Sequence, residues 1–294
     1  MTGGALRHDA FVYDSDEEFA ESMIPFIEEG LDQGESVIGV TTRANCALLR
    51  ESLGDASGQV CFVDRDEWYV RPAHTVAGYH RTLRRSLKNG APALRVIGEV
   101  QFGTSQEEWA EWTAYESILN RAFADEPAWI VCPYDARVLP EHIVEGASHT
   151  HGLDHEDPEE LVRSLTPDPQ PLPGLRTLPL DEDPREFRYN LARELAAERV
   201  PRERAAELIL AASEILSNAQ RHGEGPRELR VGAVDGRFVC EIADRGSGLD
   251  DPLAGYLPPG TAGRYGAGLW VARQLTDRLE LISSPDGLTV RLWA

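Results

Sequence analysis

The chain has 294 residues, which exceeds the ~100–200 residues of a typical single domain and predicts two domains. Fifty acidic residues against 29 basic ones leave a formal charge of -21, and no apolar run approaches the ~20 residues of a membrane span. We therefore expect no membrane segment and no direct binding of nucleic acid, whose phosphates the charge would repel, although the acidity also fits a role in solubility alone.

The amino terminus and the cysteines indicate a reducing compartment. The segment Met1–Arg7 lacks the basic and then apolar pattern of a secretion signal, so we expect a cytoplasmic protein. Cys46, Cys61, Cys132 and Cys240 show no CxxC spacing, which predicts neither a zinc ribbon nor a disulfide framework. We expect these thiols to be reduced and mostly buried.

The first half of the chain alternates strand-like and helix-like segments. Apolar runs predict buried parallel strands at residues 36–42, 59–64, 93–99 and 128–135. Amphipathic segments predict helices at residues 16–29, 43–53, 75–89 and 106–124. This order is typical of an α/β domain whose parallel sheet is covered on both faces.

Residues 154–184 contain seven prolines among many acidic residues. Because proline lacks an amide proton, this stretch predicts an extended, acidic, proline-rich linker, with a short helix compatible with residues 159–164. The chain is thereby divided into a first domain at residues 1–153, the linker, and a second domain at residues 185–294.

The second half segregates its helices from its strands. Helices are predicted near residues 185–198, 201–222 and 267–278, and strands near residues 228–234 and 238–243, with a strand pair ending near Trp293. Helices packed on one face of a mixed sheet, an α+β sandwich, are the predicted architecture.

Two short motifs lie before the glycine-rich loop of this half. Glu214, Asn218 and His222 follow one another in steps of four, so they share one face of a helix. Asp244 follows an apolar strand and begins the pattern Asp-Arg-Gly-Ser-Gly, whose glycines permit tight turns. Taken singly, the first motif is also typical of a solvated helix surface and the second of an ordinary turn.

A third motif, Gly263-Arg-Tyr-Gly266-Ala-Gly268-Leu269, leads into the helix at residue 267. Its glycines allow a ligand close to the backbone, and the free amides of a helix start favour phosphate. A Walker loop is excluded because no GKS or GKT follows, and a dinucleotide fingerprint because no strand immediately precedes it.

In this order the three motifs resemble the nucleotide-binding boxes of the GHKL ATPase superfamily, which includes gyrase, histidine kinases and mismatch-repair proteins. The segments 212–223 and 266–281 resemble the anti-sigma-factor serine kinases in particular, and the likeness covers about residue 184 to the end. The resemblance implies that the second domain binds ATP and Mg²⁺, and that its partners are a sigma factor and a STAS-domain anti-sigma antagonist.

The resemblance also implies roles for individual residues. Asn218 would hold Mg²⁺ between the phosphates, Asp244 would recognise the adenine amino group, and Glu214 would be the general base. His222 would either contact phosphate or cap its helix. Arg221 and Arg264 would be further phosphate contacts. The remaining nucleotide-binding positions, which would shape the pocket, are Gly246, Gly248, Gly263, Gly266, Gly268 and Leu269.

Two features separate the kinase types. A histidine kinase carries its phosphorylated histidine on a helical hairpin before the ATPase domain, but no histidine lies between His155 and His222 here. The lid between Gly248 and Gly263 is short, as in anti-sigma kinases, and its prolines leave the turnover rate open. These features favour a serine/threonine kinase and make a histidine kinase the third choice.

The first domain resembles the MEDS sensory domain, a relative of the RecA and KaiC fold. Residues 26–53, 96–99, 111–120 and 132–136 carry this likeness, which covers roughly residues 8–152. Where a RecA-type ATPase has its phosphate loop, the segment from Thr41 to Asn45 has no glycine or lysine. We expect a degenerate RecA/KaiC-like domain without a P-loop, which hydrolyses no ATP.

Such a scaffold places strand ends around a crevice that could hold a small ligand. The residues expected to converge there, each of which also fits a packing or surface role, are Glu99, Tyr115, Glu116, Cys132, Tyr134 and Asp135. Six histidines are candidate metal ligands, namely His8, His74, His80, His142, His149 and His151. His149 and His151 form the best pair, although an HxH pattern alone predicts little.

Together these observations predict a cytoplasmic regulator whose first domain senses a signal and whose second domain binds a sigma factor and phosphorylates its antagonist. The alternative is a non-catalytic anti-sigma factor or scaffold that uses ATP as a structural ligand, or none. The identity of the sensed ligand and a homodimeric state are left open by the sequence.

Overall fold

A computed structural model describes residues 5–153, 155–166, 170–180, 183–259 and 267–294 of the chain. It divides into two compact units, Met1–Thr166 and Pro167–Ala294. Within these described ranges, no helix has both the length and the apolar character needed to cross a membrane.

The first unit is built on a parallel sheet with the strand order β1-β5-β4-β2-β3. Its strands are Arg7–Tyr13 (β1), Ser36–Thr41 (β2), Cys61–Asp64 (β3), Leu94–Gly98 (β4) and Ala128–Asp135 (β5). Its helices are Asp16–Asp32 (α1), Arg43–Leu53 (α2), Arg65–Trp68 (α3), Pro72–Lys88 (α4), Gln106–Ala122 (α5), Glu141–Gly146 (α6) and Pro158–Leu165 (α7). Short 3₁₀ helices lie at Gly54–Gln59 and Ala147–His149.

The sheet is buried between two layers, because successive strand residues point to opposite faces. Ile97 and Val131 join an apolar cluster with Phe19 and Leu49 of α1 and α2. The neighbouring Cys132 points to the other face, which α5 covers. Because helices cover both faces, each central strand is an almost continuous run of apolar residues, as expected of a parallel sheet.

The start of α5 is fixed by a capping box. The Ser105 side chain accepts a hydrogen bond from the backbone N–H of Glu108, and the Glu108 carboxylate accepts one from the backbone N–H of Ser105. This cap sets the register of the helix that carries Glu116 and Asn120 towards the sheet.

The predicted α/β class with a parallel sheet is confirmed, with one strand more than expected. β1 escaped prediction because its sequence, RHDAFVY, mixes charged and apolar residues at the edge of the sheet. The chain runs from β2 outward to β3 and then returns to β4 and β5, so its direction across the sheet reverses between the neighbouring strands β2 and β4. The relationship to the RecA and KaiC fold stays an expectation.

The second unit has an antiparallel sheet with the order β6-β7-β8-β10-β9. Its strands are Arg176–Leu178 (β6), Pro226–Val234 (β7), Arg237–Asp244 (β8), Arg278–Ser284 (β9) and Gly287–Trp293 (β10). Its helices are Pro184–Ala197 (α8), Arg202–His222 (α9) and Ala267–Leu275 (α10).

One apolar cluster joins these helices to the sheet, and it includes Leu191 of α8, Leu216 of α9 and Ala272 of α10. The helices therefore pack on one face, as predicted for an α+β sandwich. The sheet itself differs from the mixed sheet expected, since every strand pairing of the described residues is antiparallel.

The stretch expected to be a linker contains two regular elements. α7 packs against α5, with Leu161 and Val162 buried, and β6 pairs with β7. Proline does not prevent α7 because Pro158 occupies the first helical turn, after the Asp157 cap, where no amide proton is needed. Prolines 167 and 169, in the middle of the expected linker, lie outside the described residues.

Candidate functional site

The second unit contains a cleft between α9, the end of β8 and the start of α10. It encloses about 360 Å³, which is within the range of small-molecule sites. The residues that line this cleft are Ile215, Asn218, Ala219, His222, Gly223, Ile242, Asp244, Gly246, Ser247, Gly248, Leu249, Leu269, Leu288 and Val290. The walls are thus mainly aliphatic, and a few polar groups lie among them.

Asp244 is the buried carboxylate of the cleft, with 9% of its surface exposed. Its Oδ1 accepts hydrogen bonds from the backbone N–H of Gly246 at 3.0 Å and of Leu288 at 2.9 Å. These bonds fix the carboxylate at the end of β8. The other oxygen, Oδ2, lies close to Gly223, which also lines the cleft.

Glycines allow the backbone to approach this carboxylate. A side chain at Gly223, at the end of α9, would overlap Asp244, and so would one at Gly287. Gly248 has a φ of +82°, a backbone conformation that other residues adopt only with strain. The turn after Asp244 therefore depends on Gly248, and its close packing depends on Gly223 and Gly287.

The polar stripe of α9 forms another wall. Asn218 and His222 line the cleft, whereas Glu214 lies one turn earlier, half-buried and outside the lining. A Cβ atom placed on Gly268 would lie 2.8 Å from Nδ2 and 2.9 Å from Oδ1 of Asn218. The first turn of α10 thus comes close to the Asn218 amide because residue 268 has no side chain.

The segment that follows Gly248 is anchored on α10. Arg273 is buried, and its Nε donates to the carbonyl oxygen of Ala254 at 2.7 Å while its guanidinium stacks 4.0 Å from the Tyr256 ring. At the start of the segment, the Ser283 hydroxyl accepts a hydrogen bond from the backbone N–H of Leu249 at 2.8 Å. Both ends of residues 249–256 are therefore tied to the body of the unit.

The structure brings most of the residues predicted for nucleotide binding into one cleft. The predicted residues among its lining are Asn218, His222, Asp244, Gly246, Gly248 and Leu269. Gly268 lies beside them, on Asn218. Gly263, Arg264 and Gly266 lie outside the described residues.

Sequence reasoning missed Gly223, Gly287 and Ser283. Gly223 directly follows a predicted helix, and because helices commonly end at a glycine, this position carried a recognisable signal. Gly287 and Ser283 belong to the last hairpin, far from the motifs in sequence. Their proximity to Asp244 and Leu249 follows from strand pairing, which no local pattern predicts.

A second cavity, of about 250 Å³, lies on the opposite face of this sheet. Its charged groups pair with one another. Arg291 Nε contacts Glu241 Oε1 at 2.7 Å, and Arg230 contacts the other oxygen at 3.1 Å. Because both oxygens of Glu241 are already paired, this carboxylate offers less to a ligand than Asp244 of the cleft does.

In the first unit, Glu99 lies at the end of β4, where the chain changes direction across the sheet, and is 2% exposed. Its carboxylate accepts from Asn45 Nδ2 at 3.0 Å and from the backbone N–H of Thr42 at 3.3 Å, and it also contacts the Thr41 hydroxyl. Arg65 forms an ion pair with it at 2.6 Å. Glu99 is thus the centre of an ordered polar network with Thr41, Thr42, Asn45 and Arg65.

Asp135, at the end of β5, has its own cation. Two nitrogens of Arg137 donate to its two oxygens at 2.8 and 2.7 Å, and these bonds hold the pKa of Asp135 below its usual range. Tyr13 lies between Asp135 and Glu99. Burial, followed by the charge of Glu99, raises the pKa of the Tyr13 hydroxyl.

The other four predicted pocket residues lie in a separate region, between the sheet and α5. Tyr115 packs edge-on against Trp112 at 5.3 Å, which agrees with its alternative reading as a packing aromatic. Glu116 is completely buried and Cys132 is 2% exposed. Tyr134 lies edge-on to His151 at 5.8 Å. The six residues expected to converge therefore form two groups.

The histidines also separate. His149 is exposed and pairs with Glu156 at 2.6 Å, so it does not act with His151, which is buried and faces Glu116 at 2.9 Å. His80 stacks on Phe123, with ring centroids 4.2 Å apart. Of the four cysteines, all free thiols, Cys61 is exposed and the other three are buried.

Comparison with known proteins gives a match for each half of the chain. Residues 7–152 match the family model described as MEDS, the MEthanogen/methylotroph, DcmR Sensory domain, and residues 179–293 match the one described as the histidine kinase-like ATPase domain. No curated protein matches the chain.

Among solved structures, the chain is similar to the crystal structure of the RsbU and RsbW domains of Rv1364c from Mycobacterium tuberculosis. The two are 22% identical, with a TM-score of 0.31, over 42% of this chain and 32% of that one. This chain thus spans about a third of the length of that structure.

Proposed function

We propose that this chain, which joins a MEDS domain to a histidine kinase-like ATPase domain, is an anti-sigma factor with ATP-dependent serine/threonine kinase activity. Its proposed partners are a sigma factor and a STAS-domain anti-sigma antagonist, which is the phosphorylated protein. Since sigma factors act in the cytoplasm, the proposal places the chain there. The sensory domain would control the activity in response to a small ligand.

The observation that carries the proposal is the environment of Asp244. Two backbone amides hold one oxygen of this buried carboxylate, and aliphatic side chains line the cleft beside it. A flat base with an exocyclic amino group fits such a site, because the amino group donates to the carboxylate and the ring packs against the walls. Adenine has this chemistry, whereas guanine has a carbonyl oxygen at the corresponding position.

The opposite end of the cleft fits phosphate and Mg²⁺. Asn218 offers a hard amide oxygen, and the first turn of α10 approaches it at Gly268, so free backbone amides of a helix start lie close by. Bound Mg²⁺ would neutralise phosphate charge at this point. We assign Asn218 to Mg²⁺ and His222 to the phosphate end of the nucleotide.

Glu214 is the proposed general base. Its carboxylate would take the proton of a serine or threonine hydroxyl as the oxygen bonds to the γ-phosphorus and the bond between that phosphorus and the bridging oxygen breaks, with ADP leaving. Glu214 and Asn218 are separated by one helical turn, so both face the side on which the phosphates would lie.

The test is phosphoryl transfer by the full chain. STAS-domain proteins that co-purify with it are incubated with Mg-ATP, and phosphorylated residues are mapped by mass spectrometry. Glu214→Gln should abolish transfer but keep ATP affinity, because a base acts on the nucleophile and hardly touches ground-state ATP. The matched control is Glu203→Gln on the exposed first turn of α9, which should transfer normally.

The position of Glu214 outside the lining of the cleft favours a second candidate, a non-catalytic ATP-binding anti-sigma factor. Equal transfer by the wild type and Glu214→Gln would remove Glu214 as the base. ATP binding with no transfer to any co-purifying protein would support the non-catalytic candidate. Capture of a response regulator in place of a STAS-domain protein would contradict both and favour a histidine kinase.

A further inference from the structure

Four side chains that are each able to ligate a metal meet in the interior of the first unit. His8 comes from β1, Glu116 from α5, Cys132 from β5 and His151 from the segment after the 3₁₀ helix Ala147–His149. None is more than 6% exposed. His8 and Cys132 share a face of the sheet, since His8 pairs with Ile130, two residues before Cys132.

The ligand atoms are close to one another. His8 Nε2 lies 3.4 Å from Cys132 Sγ and 3.3 Å from Glu116 Oε2, and His151 Nε2 lies 2.9 Å from the same Oε2. All four ligand atoms are within 4.8 Å of each other. A tetrahedral ion with bonds of about 2.0–2.3 Å places its ligand atoms about 3.3–3.6 Å apart, so a small contraction would complete the geometry.

Hydrogen bonds orient both imidazole rings. Asn120 donates its Nδ2 to the carbonyl of Thr150 at 2.7 Å, so its Oδ1 faces His8 Nδ1, 2.9 Å away, and accepts the proton there. The carbonyl of Ala147, which can only accept, lies 2.8 Å from His151 Nδ1. Both rings therefore carry a proton on Nδ1 and direct Nε2 towards Glu116, as metal-ligating histidines do.

Polar atoms in this cluster lack hydrogen bonds. Both oxygens of Glu116 and the Nε2 of His151 have no hydrogen bond among the described residues, although Glu116 Oε2 lies 2.9 Å from His151 Nε2 and 3.3 Å from His8 Nε2. An unsatisfied buried carboxylate is costly. A cation between these atoms would remove that cost.

We propose that His8, Glu116, Cys132 and His151 bind one divalent transition-metal ion, with zinc as the best match. Two imidazoles, one thiolate and one carboxylate form a borderline-soft set of the kind that zinc takes in four-coordinate sites. Calcium and magnesium are disfavoured, because they prefer sets made of oxygen ligands. The site lies wholly within the first unit and is independent of the nucleotide cleft.

The charges of the cluster also balance. Burial alone would raise the pKa of Glu116, but the neighbouring His151 and His8 outweigh it and leave the pKa of this carboxyl lowered. Burial raises the pKa of the Cys132 thiol, and for His151 the attraction of Glu116 overcomes burial and leaves its pKa raised. Without metal, Glu116 and His151 thus favour each other's charged form beside the thiol. Binding releases protons from His151 and Cys132, and the two anionic ligands neutralise the divalent ion.

The test is a cobalt titration of the full chain after removal of metal with a chelator. We expect saturation at one Co²⁺ per chain, with the thiolate-to-cobalt charge-transfer band and the visible bands of a tetrahedral ion. Zn²⁺ should displace Co²⁺, because it binds more tightly to such ligands. About two protons should be released per metal at a pH where His151 is protonated.

Matched variants identify the ligands. His151→Ala should weaken binding at least about 100-fold and Cys132→Ser should abolish the charge-transfer band, whereas His149→Ala and Cys61→Ser, on exposed side chains, should change neither. Asn120→Ala, which removes the partner of His8 Nδ1 and the hydrogen bond to the Thr150 carbonyl, should weaken binding about 10–100-fold.

Metal uptake by the wild-type chain tests the proposal even if a substitution of a buried ligand prevents folding. A folded wild-type chain that takes up no Co²⁺ and no Zn²⁺ would mean that the cluster is only a buried ion pair, and the proposal would be wrong. Binding that His149→Ala or Cys61→Ser removes would place the metal on the surface, with the same consequence.

Discussion

Asp244 carries the hypothesis of base recognition because its two oxygens have different surroundings. Oδ1 accepts from two backbone amides, and the carboxylate borders an aliphatic cleft. In Asp244→Asn, the amide oxygen would keep the backbone bonds and the amide nitrogen would face the ligand. A donor would then meet the amino group of adenine, but it would suit the carbonyl oxygen of guanine.

We therefore expect Asp244→Asn to weaken ATP binding by about tenfold or more and to narrow or reverse the preference for ATP over GTP. Calorimetric titration of the full chain with both nucleotides measures this. The control is Asp235→Asn in the exposed turn between β7 and β8, where a φ of 49° suits asparagine. An unchanged ATP-to-GTP ratio in Asp244→Asn would contradict base recognition by this residue.

His80 makes the first unit sensitive to acid. Burial, reinforced by the charge of Arg84, lowers the pKa of His80 to about 4, against an ordinary value near 6.5. The fold thus favours the neutral ring. The stability that the neutral His80 ring contributes is fully present above about pH 6.5 and is lost as the pH falls towards 4. The shift in pKa corresponds to a loss of about 3 kcal/mol in the free energy of unfolding.

His80→Leu should reduce the difference in unfolding free energy between pH 7 and pH 4.5, because leucine has no proton to bind. Denaturant unfolding of the full chain at the two pH values measures the difference. His142→Leu, at an exposed histidine, should leave it as in the wild type. The expectation fails if the loss of stability in acid is the same in His80→Leu and in the wild type.

At this scale, the sequence predicted the cleft far better than the interior cluster. Asn218, His222 and Asp244 belong to motifs whose spacing or strand-end position carries the information. His8, Glu116, Cys132 and His151 are spread over the first half of the chain, and only the pairing of β1 with β5 and the packing of α5 bring them together. No local pattern records those contacts: Glu116 and Cys132 were predicted for a ligand pocket, His8 and His151 were among six candidate metal ligands, and the HxH pattern joined His151 to the exposed His149.

Among the elements, α10 positions the segment that follows Gly248. Arg273 of this helix binds the carbonyl of Ala254 at 2.7 Å and that of Leu279 at 3.3 Å, and it stacks on Tyr256. A buried charged donor of this kind contributes about 1.5–3 kcal/mol per hydrogen bond. The segment is therefore held by one side chain that crosses from helix to loop.

Arg273→Ala should release this segment. We expect faster amide hydrogen exchange over residues 250–256 and a lower unfolding temperature, with little change in exchange over β7 and β8. Hydrogen-exchange mass spectrometry provides the measurement. Arg237→Ala, at the exposed first residue of β8, is the matched control. Wild-type exchange rates over residues 250–256 in Arg273→Ala would show that other contacts hold the segment.

Elements with a strong period were predictable and those set by tertiary context were not. The strongly amphipathic and apolar segments, such as α2 and β5, occur at the predicted residues. β6 has three residues and exists through its pairing with β7. α7 lies where the sequence allowed a short helix, at residues 159–164 within the proline-rich stretch, and the Asp157–Pro158 pair is a helix-start signal for it.

At the scale of the molecule, the boundary between the two units bears on the sensor hypothesis. Because α7 packs on α5, deletion of only the residues before Pro158 would leave α7, which belongs to the first unit, attached to the second unit. A cut after Thr166 follows the division between the compact units. We expect the fragment Pro167–Ala294 to keep the Mg-ATP affinity of the full chain.

The same fragment should no longer respond to conditions that alter kinase activity of the full chain. Phosphorylation of the captured antagonist, with and without residues 1–166, measures this difference. A ligand of the first unit can control the second only to the extent that it binds one state of the chain more tightly. An identical response in the fragment and in the full chain would contradict sensory control by the first unit.

The central claim is that the cleft between α9 and α10 binds Mg-ATP, and one calorimetric titration of the full chain tests it most directly. We predict one ATP bound per chain, with an affinity that falls on removal of Mg²⁺ and is lost in Asn218→Ala. Absence of ATP binding in the folded wild type, or binding that is equally tight without Mg²⁺ and in Asn218→Ala, would contradict the assignment of this cleft.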